Sequence, residues 1–525
     1  MTNKKKNYYI IILSLLNVFR SIFLVGQAIY SKIMIDQATN GEDFLLSAII
    51  FVTLIALNIA SSLLFFVIRN NFSLLIEVNM KQDIYDKLIV KDINEAKKFH
   101  SGEITNIYLS DIQNVKSGLC ETIPSFFLYA SRFLLSFFAL LYFDYRILLV
   151  LLGFGIVAIF GARIYSLTIK KYQKRSLESD GKVNAFMQES FENIKIVKAM
   201  SAEKLLSSSL NNRLDENKKI KAKRNKISLF GNGGLFVLME ITMTFTMVYG
   251  AFGISKGFLS YGSLVGLLQI VSYFESPLSM FSSLMTKLNA YRVSNERINT
   301  LFNLKNDQTQ EMITDFDQII FDQVDFSYES KIINNFSLVI NKFDTILLKG
   351  HSGCGKSTIF NLLLGFIKPE NGTIKVKCGT NEYPIENCRH LFSYVAQENI
   401  LFSGTIEDNA RLFIADYNEE KFLEALKIAC VYDEIMQKEK KLQTILNERG
   451  NGLSLGQIQR ILLAISLLKD NPVLLLDEFT SALDKELEKK IVINVASLNK
   501  TKIIITHRDI DIPNSKIIYL GEEYE

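Results

Sequence analysis

The sequence predicts a membrane α-helical bundle of about six transmembrane helices with long cytoplasmic extensions. An α/β domain of the P-loop type, with a helical subdomain, is expected to follow it. Three observations carry this reading. Long apolar runs crowd roughly the first 300 of the 525 residues, in a chain that is 48% hydrophobic, a high share for an ordinary soluble protein. The glycine-rich run GHSGCGKST follows directly on the β-rich TILLKG. Further on, VLLLDE reads as a buried strand ending in two acids. The net charge of +4 is small for this length and argues against a nucleic-acid partner. Five cysteines (Cys120, Cys354, Cys378, Cys388, Cys430) show neither paired nor metal-ligand spacing, which fits a reduced, cytosolic setting for most of the chain.

The N-terminus has a basic start and an apolar stretch that runs to about Tyr30 without a small-residue cleavage site. It therefore reads as a retained first membrane helix. Phe44–Ile68 contains no charge and is long enough to cross the hydrocarbon core, which takes about 20 residues. Further apolar runs lie at Tyr8–Tyr30, Ile123–Phe143, Tyr145–Leu167, Leu229–Ser255 and Ser263–Met285. Arg69–Thr122 carries seven Lys or Arg and Thr168–Ser228 carries fifteen, whereas Ser31–Asp43 and Lys256–Gly262 carry only Lys32 and Lys256. This bias places the long segments and both termini in the cytoplasm. The long segments have few helix breakers and read as helices continuing out of the membrane. Antiparallel arms of about 25 residues would reach roughly 35–40 Å. Arg20, Arg132, Glu240 and Glu275 fall inside the spans. Such charges face a cavity or one another. Two readings follow: the glutamates line a substrate path, or they pair with Arg20 or Arg132.

After Leu304 the polar stretch KNDQTQ reads as a linker, dividing a transmembrane domain over 1–304 from a nucleotide-binding domain over 311–525. The loop residues Gly350, His351, Ser352, Gly353, Cys354, Gly355, Lys356, Ser357 and Thr358 fit G-x4-G-K-[ST] between a strand and a helix. Such a loop turns its backbone N–H groups, and the positive end of the following helix, toward phosphates. Lys356 is expected to reach the β- and γ-phosphates and Ser357 to hold Mg²⁺. Asp477 suits Mg²⁺ through water, and Glu478 suits a general base for an attacking water.

With these motifs in this order, nearly the whole chain resembles the ATP-binding-cassette (ABC) transporters of exporter type. The resemblance implies an ATP hydrolase coupled to transport, with ATP and Mg²⁺ as ligands. Tyr328 in VDFSYES looks like the aromatic that stacks on adenine. Gln397 in SYVAQENILFSGTIEDN looks like the glutamine that senses Mg²⁺ and the attacking water. His507 in IIITHR looks like the switch histidine on the γ-phosphate. LSLGQIQR looks like the signature, so that Ser454, Gly456 and Gln457 would cap ATP held by a second cassette. SALD looks like the loop that ends in Asp484 and also belongs to the nucleotide site. EAKKFHSGEITNIYLSDIQNV and VNAFMQESFENIKIVKAMSAEKLL are similar to the two cytoplasmic arm segments, with short coupling helices near His100–Thr105 and Arg175–Gly181.

Six spans and one cassette make half a transporter in this family, so the resemblance implies a second half as partner. A homodimer is favoured and a heterodimer stays open. The implied cargo is hydrophobic or amphipathic, such as a small or modified peptide, a lipid or a drug. The implied location is a bacterial plasma membrane with both termini and the ATPase domain cytoplasmic. A second reading is an ATP-gated regulatory membrane protein without net transport. Two departures stand out. Leu455 replaces the first glycine of LSGGQ, which leaves two outcomes: a tolerated side chain turned aside, or one impaired ATP site. The sequence also ends 18 residues after His507, earlier than in most relatives. No Cys precedes Cys120 and no His precedes His100, so no leader-trimming cysteine peptidase is expected ahead of the first span.

Overall fold

The computed structural model describes residues 3–97, 104–105, 107–307, 313–328, 330–397, 401–447, 452–508 and 512–520. The chain divides into two compact units, one of Met1–Lys87 with His100–Asn303, the other of Leu88–Phe99 with Leu304–Glu525.

The described residues of the first unit are mostly helical, with no strand among them. Its principal helices are Asn3–Asn40, Leu45–Ile89, Ile107–Phe143, Tyr145–Glu192, Glu203–Ser255 and Tyr261–Phe302. All of these except Tyr145–Glu192 are long and apolar enough to cross a membrane. The helix Tyr145–Glu192 opens on the remaining apolar run, whose described stretch, Tyr145–Val157, is shorter than a span. Residues 158–167 are described by their backbone alone. At 1.5 Å per residue a 53-residue helix such as Glu203–Ser255 is about 80 Å long, far more than the ~30 Å hydrocarbon core. The expected continuation of helices beyond the apolar runs is therefore present. Outside the apolar runs, Tyr145–Glu192 and Glu203–Ser255 are joined by polar contacts. Lys221 Nζ lies 2.6 Å from Asp180 Oδ1, and Asn217 Nδ2 donates to Asp180 Oδ1 at 2.9 Å.

The second arm does not turn at Arg175–Gly181, where a coupling helix was expected. That stretch lies inside the unbroken helix Tyr145–Glu192. The chain turns further on, through the short helix Ile194–Ala199 and Ser201 in the left-handed region at φ 49°. A single glycine, Gly181, is tolerated within a helix at a cost of about 1 kcal/mol, so it does not mark a break. The first expected coupling segment, His100–Thr105, lies mostly outside the described residues. The neighbouring short helix Ile93–Lys97 belongs to the second unit, where Asn94 Nδ2 donates to Phe366 O at 2.5 Å.

The second unit is built on a five-stranded parallel sheet of order β11-β3-β10-β9-β6. Its strands are β3 (Thr345–Lys349), β6 (Phe392–Val395), β9 (Val473–Asp477), β10 (Thr501–Ile505) and β11 (Ser515–Tyr519). β9 and β10 are buried along their whole length, which is why VLLLD and TKIII read as continuous rather than alternating patterns. Their alternate residues feed two cores. Leu474, Leu476 and Ile504 pack with Phe422, Leu426 and Ile461 from the helical side. Leu475, Ile503 and Ile505 pack with Phe321, Phe360 and Val376 on the other. Each large side chain buried in this way contributes about 1.5–3 kcal/mol. An antiparallel sheet of order β2-β1-β4-β5 covers that second side, with β1 (Gln318–Ser327), β2 (Lys331–Asn341), β4 (Asn371–Cys378) and β5 (Asn381–Pro384). The helical subdomain holds Ile406–Phe413, Glu419–Ile428 and Tyr432–Met436.

Register fixes the site. Ile505 pairs with Leu348 on one side and with Asp477 on the other. The segments that leave β3, β9 and β10 therefore emerge together at the carboxyl edge of the parallel sheet, the usual place for a ligand in such folds.

Candidate functional site

The loop after β3 winds tightly because glycines occupy its left-handed positions, Gly353 at φ 85° and Gly355 at φ 99°. Neighbours fix two of the glycines sterically. A Cβ on Gly350 would lie 2.5 Å from Leu520 O, and one on Gly355 would lie 2.7 Å from Ile332 Cγ2. The helix Lys356–Leu363 begins at once, so its free N–H groups and positive end face the loop. Lys356 is buried, and its Nζ donates to Gly350 O at 3.0 Å and His351 O at 2.9 Å. Ser357 is exposed at the helix mouth, whereas Thr358 and Cys354 are buried. His351 and Ser352 are exposed, with His351 Nδ1 2.9 Å from Ser352 O. The loop thus offers a compact, cation-bearing cradle for a polyphosphate.

Asp477 ends β9, only 4% exposed. Burial, and secondarily the neighbouring Glu478 charge, push its carboxyl up to about 6, against the opposing pull of Lys356. A buried carboxylate held this high gains most from a bound cation. Glu478 follows with φ 47°, a left-handed backbone unusual for a side chain of this size. Its N–H donates to Ile505 O at 3.0 Å, which pins the turn to β10. The carboxylate is held on both oxygens. Gln397 Nε2 donates to Oε2 at 3.1 Å, and His507 Nε2 lies 3.2 Å from Oε1. Three separate segments thus meet on one acid that is 22% exposed at its side chain, accessible enough to meet water.

Tyr328 is 57% exposed and sits edge-on to Phe326, with ring centroids 4.9 Å apart. Its free face is available for stacking. Ser454 caps the helix Leu455–Leu468 in a capping box: Gln457 N donates to Ser454 Oγ at 3.2 Å, and Ser454 N donates to Gln457 Oε1 at 3.0 Å. Gln457 Nε2 donates onward to Glu434 Oε2 at 2.7 Å. Residues 448–451, just before this run, lie outside the described residues. Asp484 caps the helix Lys485–Ala496, accepting from Leu487 N at 2.9 Å and Glu486 N at 3.1 Å. These hydrogen bonds to Leu487 and Glu486 outweigh desolvation and hold its carboxyl below the usual range.

The two residues at the departure from LSGGQ behave differently. Leu455 is 56% exposed, at the first helical position and without a positive φ, so nothing in its own backbone requires glycine. Gly456 is buried, and a Cβ there would lie 2.9 Å from Leu483 Cδ2 and 3.2 Å from Ala482 O. Close approach is therefore needed at the second position and not at the first. Leu455→Gly is expected to change stability by less than about 1 kcal/mol and to leave ATP hydrolysis near wild type. Thermal unfolding and initial rates check this. A large gain in rate would mean that the leucine impairs the site.

Sequence reasoning passes over a clamp on the loop Ser481–Asp484. Gln459, 2% exposed, donates from Nε2 to Ser481 Oγ at 2.9 Å and accepts from Ala482 N at 3.2 Å. Arg508 donates to Ser481 O at 2.7 Å, Leu483 O at 3.0 Å and Glu488 Oε2 at 3.0 Å. Thr480 Oγ1 donates to the other Glu488 oxygen at 2.7 Å. The available signal was positional: Gln459 lies within GQIQR, and Arg508 follows His507.

Residues 8–278 match the family described as ABC transporter transmembrane region, and residues 333–481 match that described as ABC transporter. A protein of Rickettsia bellii (strain RML369-C), carrying the name export ATP-binding/permease protein, is 30% identical over 96% of this chain and 89% of its own length. The lactococcin-A transport/processing ATP-binding protein of Lactococcus lactis subsp. lactis is 29% identical over 78% of this chain and 58% of its own. A solved bacterial Atm1-family ABC exporter with ATP bound superposes with a TM-score of 0.82 at 21% identity, covering 99% of this chain and 94% of that one.

Proposed function

The chain belongs to the ABC transporters of exporter type, a transmembrane domain fused to one ATP-hydrolysing cassette, and from that premise we propose that two copies export or flip a hydrophobic or amphipathic cargo across a bacterial plasma membrane. Residues 1–304 form the membrane domain and 311–525 the cassette, with both termini cytoplasmic. The observation that carries the reading is Glu478, held between Gln397 and His507 beside the phosphate loop.

In this reading, the loop Gly350–Thr358 wraps the phosphates and Lys356 exchanges its loop carbonyls for them. Glu478 takes the proton of the attacking water. His507 and Gln397 orient that carboxylate and follow the γ-phosphate. Ser357, Asp477 and Gln397 fit Mg²⁺ as a hydroxyl, a buried carboxylate and an amide near a phosphate site. The ion would supply charge neutralisation there. Ser454, Gly456 and Gln457 present a capped helix N-terminus to the nucleotide of the other copy, and Asp484 stiffens the loop beside it. A homodimer suffices because every hydrolytic residue is present in this one chain.

ATP binding shifts the membrane helices only through its different affinity for their inward- and outward-open states. Among cargoes a small or modified peptide is the first choice. The relative from Lactococcus lactis named for lactococcin-A transport supports that class.

Tyr328→Ala is expected to raise the KM for ATP about 3–10-fold with little change in kcat, as loss of an adenine stack would. Steady-state kinetics check this. The export reading is tested with inside-out proteoliposomes and a fluorescent amphipathic peptide. Uptake that needs ATP and vanishes in Glu478→Gln supports it, whereas a cellular effect that survives the substitution would favour ATP gating without transport.

A further inference from the structure

We propose that Arg20 and Arg132 together form a binding site, inside the membrane bundle, for the acidic head group of an amphipathic molecule. The inference rests on the export reading and gives its cargo a charge.

The two arginines sit on adjoining helices at one level. Ser131 Oγ lies 2.9 Å from Ser21 Oγ, and Ser21 Oγ donates to Leu128 O at 3.0 Å. Arg20 directly precedes Ser21 and Arg132 directly follows Ser131. Among the described residues, each guanidinium has one hydrogen-bond partner, and it is neutral. Arg20 Nη1 donates to Asn17 Oδ1 at 3.0 Å, and Arg132 Nη1 donates to Ser276 Oγ at 3.3 Å. The Nε of each is buried, with no acceptor among the described residues. A guanidinium has five N–H donors and no acceptor, so most of this donor capacity is unspent.

Charge is unspent as well. Among the described residues, no ion pair joins either arginine to Glu240 or Glu275, so the pairing considered from the sequence is absent. Glu275 is buried against a pocket that also includes Thr242, Leu238 and Phe154. It precedes Ser276 on the same helix, and successive helical residues point about 100° apart. Uncompensated cations within a span are costly, and they mark sites where a ligand or path supplies the counter-charge.

The surroundings select the rest of the ligand. Arg20 lies over the Phe65 ring at 5.7 Å, and Arg132 lies 5.9 Å from the rings of both Tyr129 and Tyr273. Phe133 and Phe274 stack nearby with centroids 4.8 Å apart. Planar donors flanked by aromatic faces suit a carboxylate or phosphate on an apolar body. Arginine grips such a group in a fork geometry that lysine cannot copy. The acidic group could belong to an exported acylated acid or to a membrane phospholipid, and the test separates these sources.

The test uses the full chain in phosphatidylcholine nanodiscs without ATP, titrated with a dansyl-labelled N-acylglycine and with its uncharged amide. The carboxylate is expected to bind about tenfold tighter than the amide or better. Arg20→Gln with Arg132→Gln should erase that preference while leaving the amide affinity unchanged. Arg20→Lys with Arg132→Lys, which keeps charge and bulk, should weaken the carboxylate severalfold and provides the readout should the double Gln variant misfold. Adding phosphatidylglycerol to the discs assigns the source: competition identifies a lipid head group, and its absence identifies a free amphiphilic acid. Equal binding of carboxylate and amide, or a preference that survives in both double variants, would overturn the proposal. Because no ATP is present, a failure of hydrolysis would strike the export reading and leave this result standing.

Discussion

Glu478→Gln is expected to lower Mg²⁺-dependent ATP hydrolysis by about 10²–10⁴-fold while ATP still binds. The amide is isosteric with the carboxylate but cannot accept a proton from water. The fold has little reason to change: Glu478 takes φ 47°, and Gln meets the same backbone cost. One contact must reorganise, because Glu478 accepts from Gln397 at 3.1 Å on one oxygen and meets His507 at 3.2 Å on the other. An amide offers an acceptor oxygen and a donor NH2, so the neighbour facing its nitrogen must accept, His507 through the Nδ1–H tautomer or Gln397 by flipping its amide. Equilibrium ATP binding near wild type, an unchanged melting temperature and a lost rate would together place the defect in chemistry. Hydrolysis within about tenfold of wild type would instead remove Glu478 as the base.

The second large effect is on stability. Arg460→Met is expected to destabilise the cassette by about 3 kcal/mol. Arg460 is buried, and it donates to Gly456 O at 3.0 Å, Cys430 O at 2.5 Å and both Glu434 oxygens at 2.6 and 3.1 Å. It ties the helix that opens with Ser454 to the helix Tyr432–Met436. Removing it takes the cation from Glu434, which keeps only Gln457 Nε2, and the side-chain donor from Cys430 O, while Gly456 O retains its bond within the helix Leu455–Leu468. The figure sits at the low end for a buried pair because the Glu434 side chain is 41% exposed and water screens part of the loss. Replacing Glu434 by Leu in the same chain should recover part of the deficit, as an apolar pair removes the stranded charge.

Acid should expose the same contact. Burial alone would raise the Glu434 carboxyl, but the hydrogen bonds from Arg460 and Gln457 bring it below its ordinary value. A depressed carboxyl contributes stability above its unfolded value, about 4.3, and loses it as pH falls through the folded value. The gap between wild type and Arg460→Met in chemical unfolding should therefore narrow below about pH 4.

Much of this was legible in the sequence, for physical reasons. The apolar run at Phe44–Ile68 and the pair TILLKG–GHSGCGKST announce themselves because a span and a phosphate loop each need a contiguous stretch. VLLLD at Val473–Asp477 was readable because a strand buried on both faces cannot alternate. The meeting of Gln397, Glu478 and His507 depends on strand register, which no local pattern states. Arg508, Glu488 and Gln459 were missed for the same reason, as the contacts of Arg508 and Gln459 join residues 20 to 27 positions apart. The arm turn at Asn193–Ser201 was misplaced because the coupling helix was set near Arg175–Gly181 by resemblance alone, while the actual turn is made by residues with no breaker among them. That the backbone at Leu455 does not require glycine could be read only from its conformation and exposure, and the need for Gly456 only from the proximity of Leu483.

We propose that the working ATP site is completed by a second copy of this chain, and nanodiscs loaded with one copy or with two decide it. Mg²⁺-ATPase activity is measured on each population after the copies per disc are counted by mass photometry. Hydrolysis is expected from two-copy discs, lost in Glu478→Gln, with next to none from one-copy discs. One-copy discs that hydrolyse at the same rate per chain would contradict it, as would two-copy discs that are folded and bind ATP yet stay inactive.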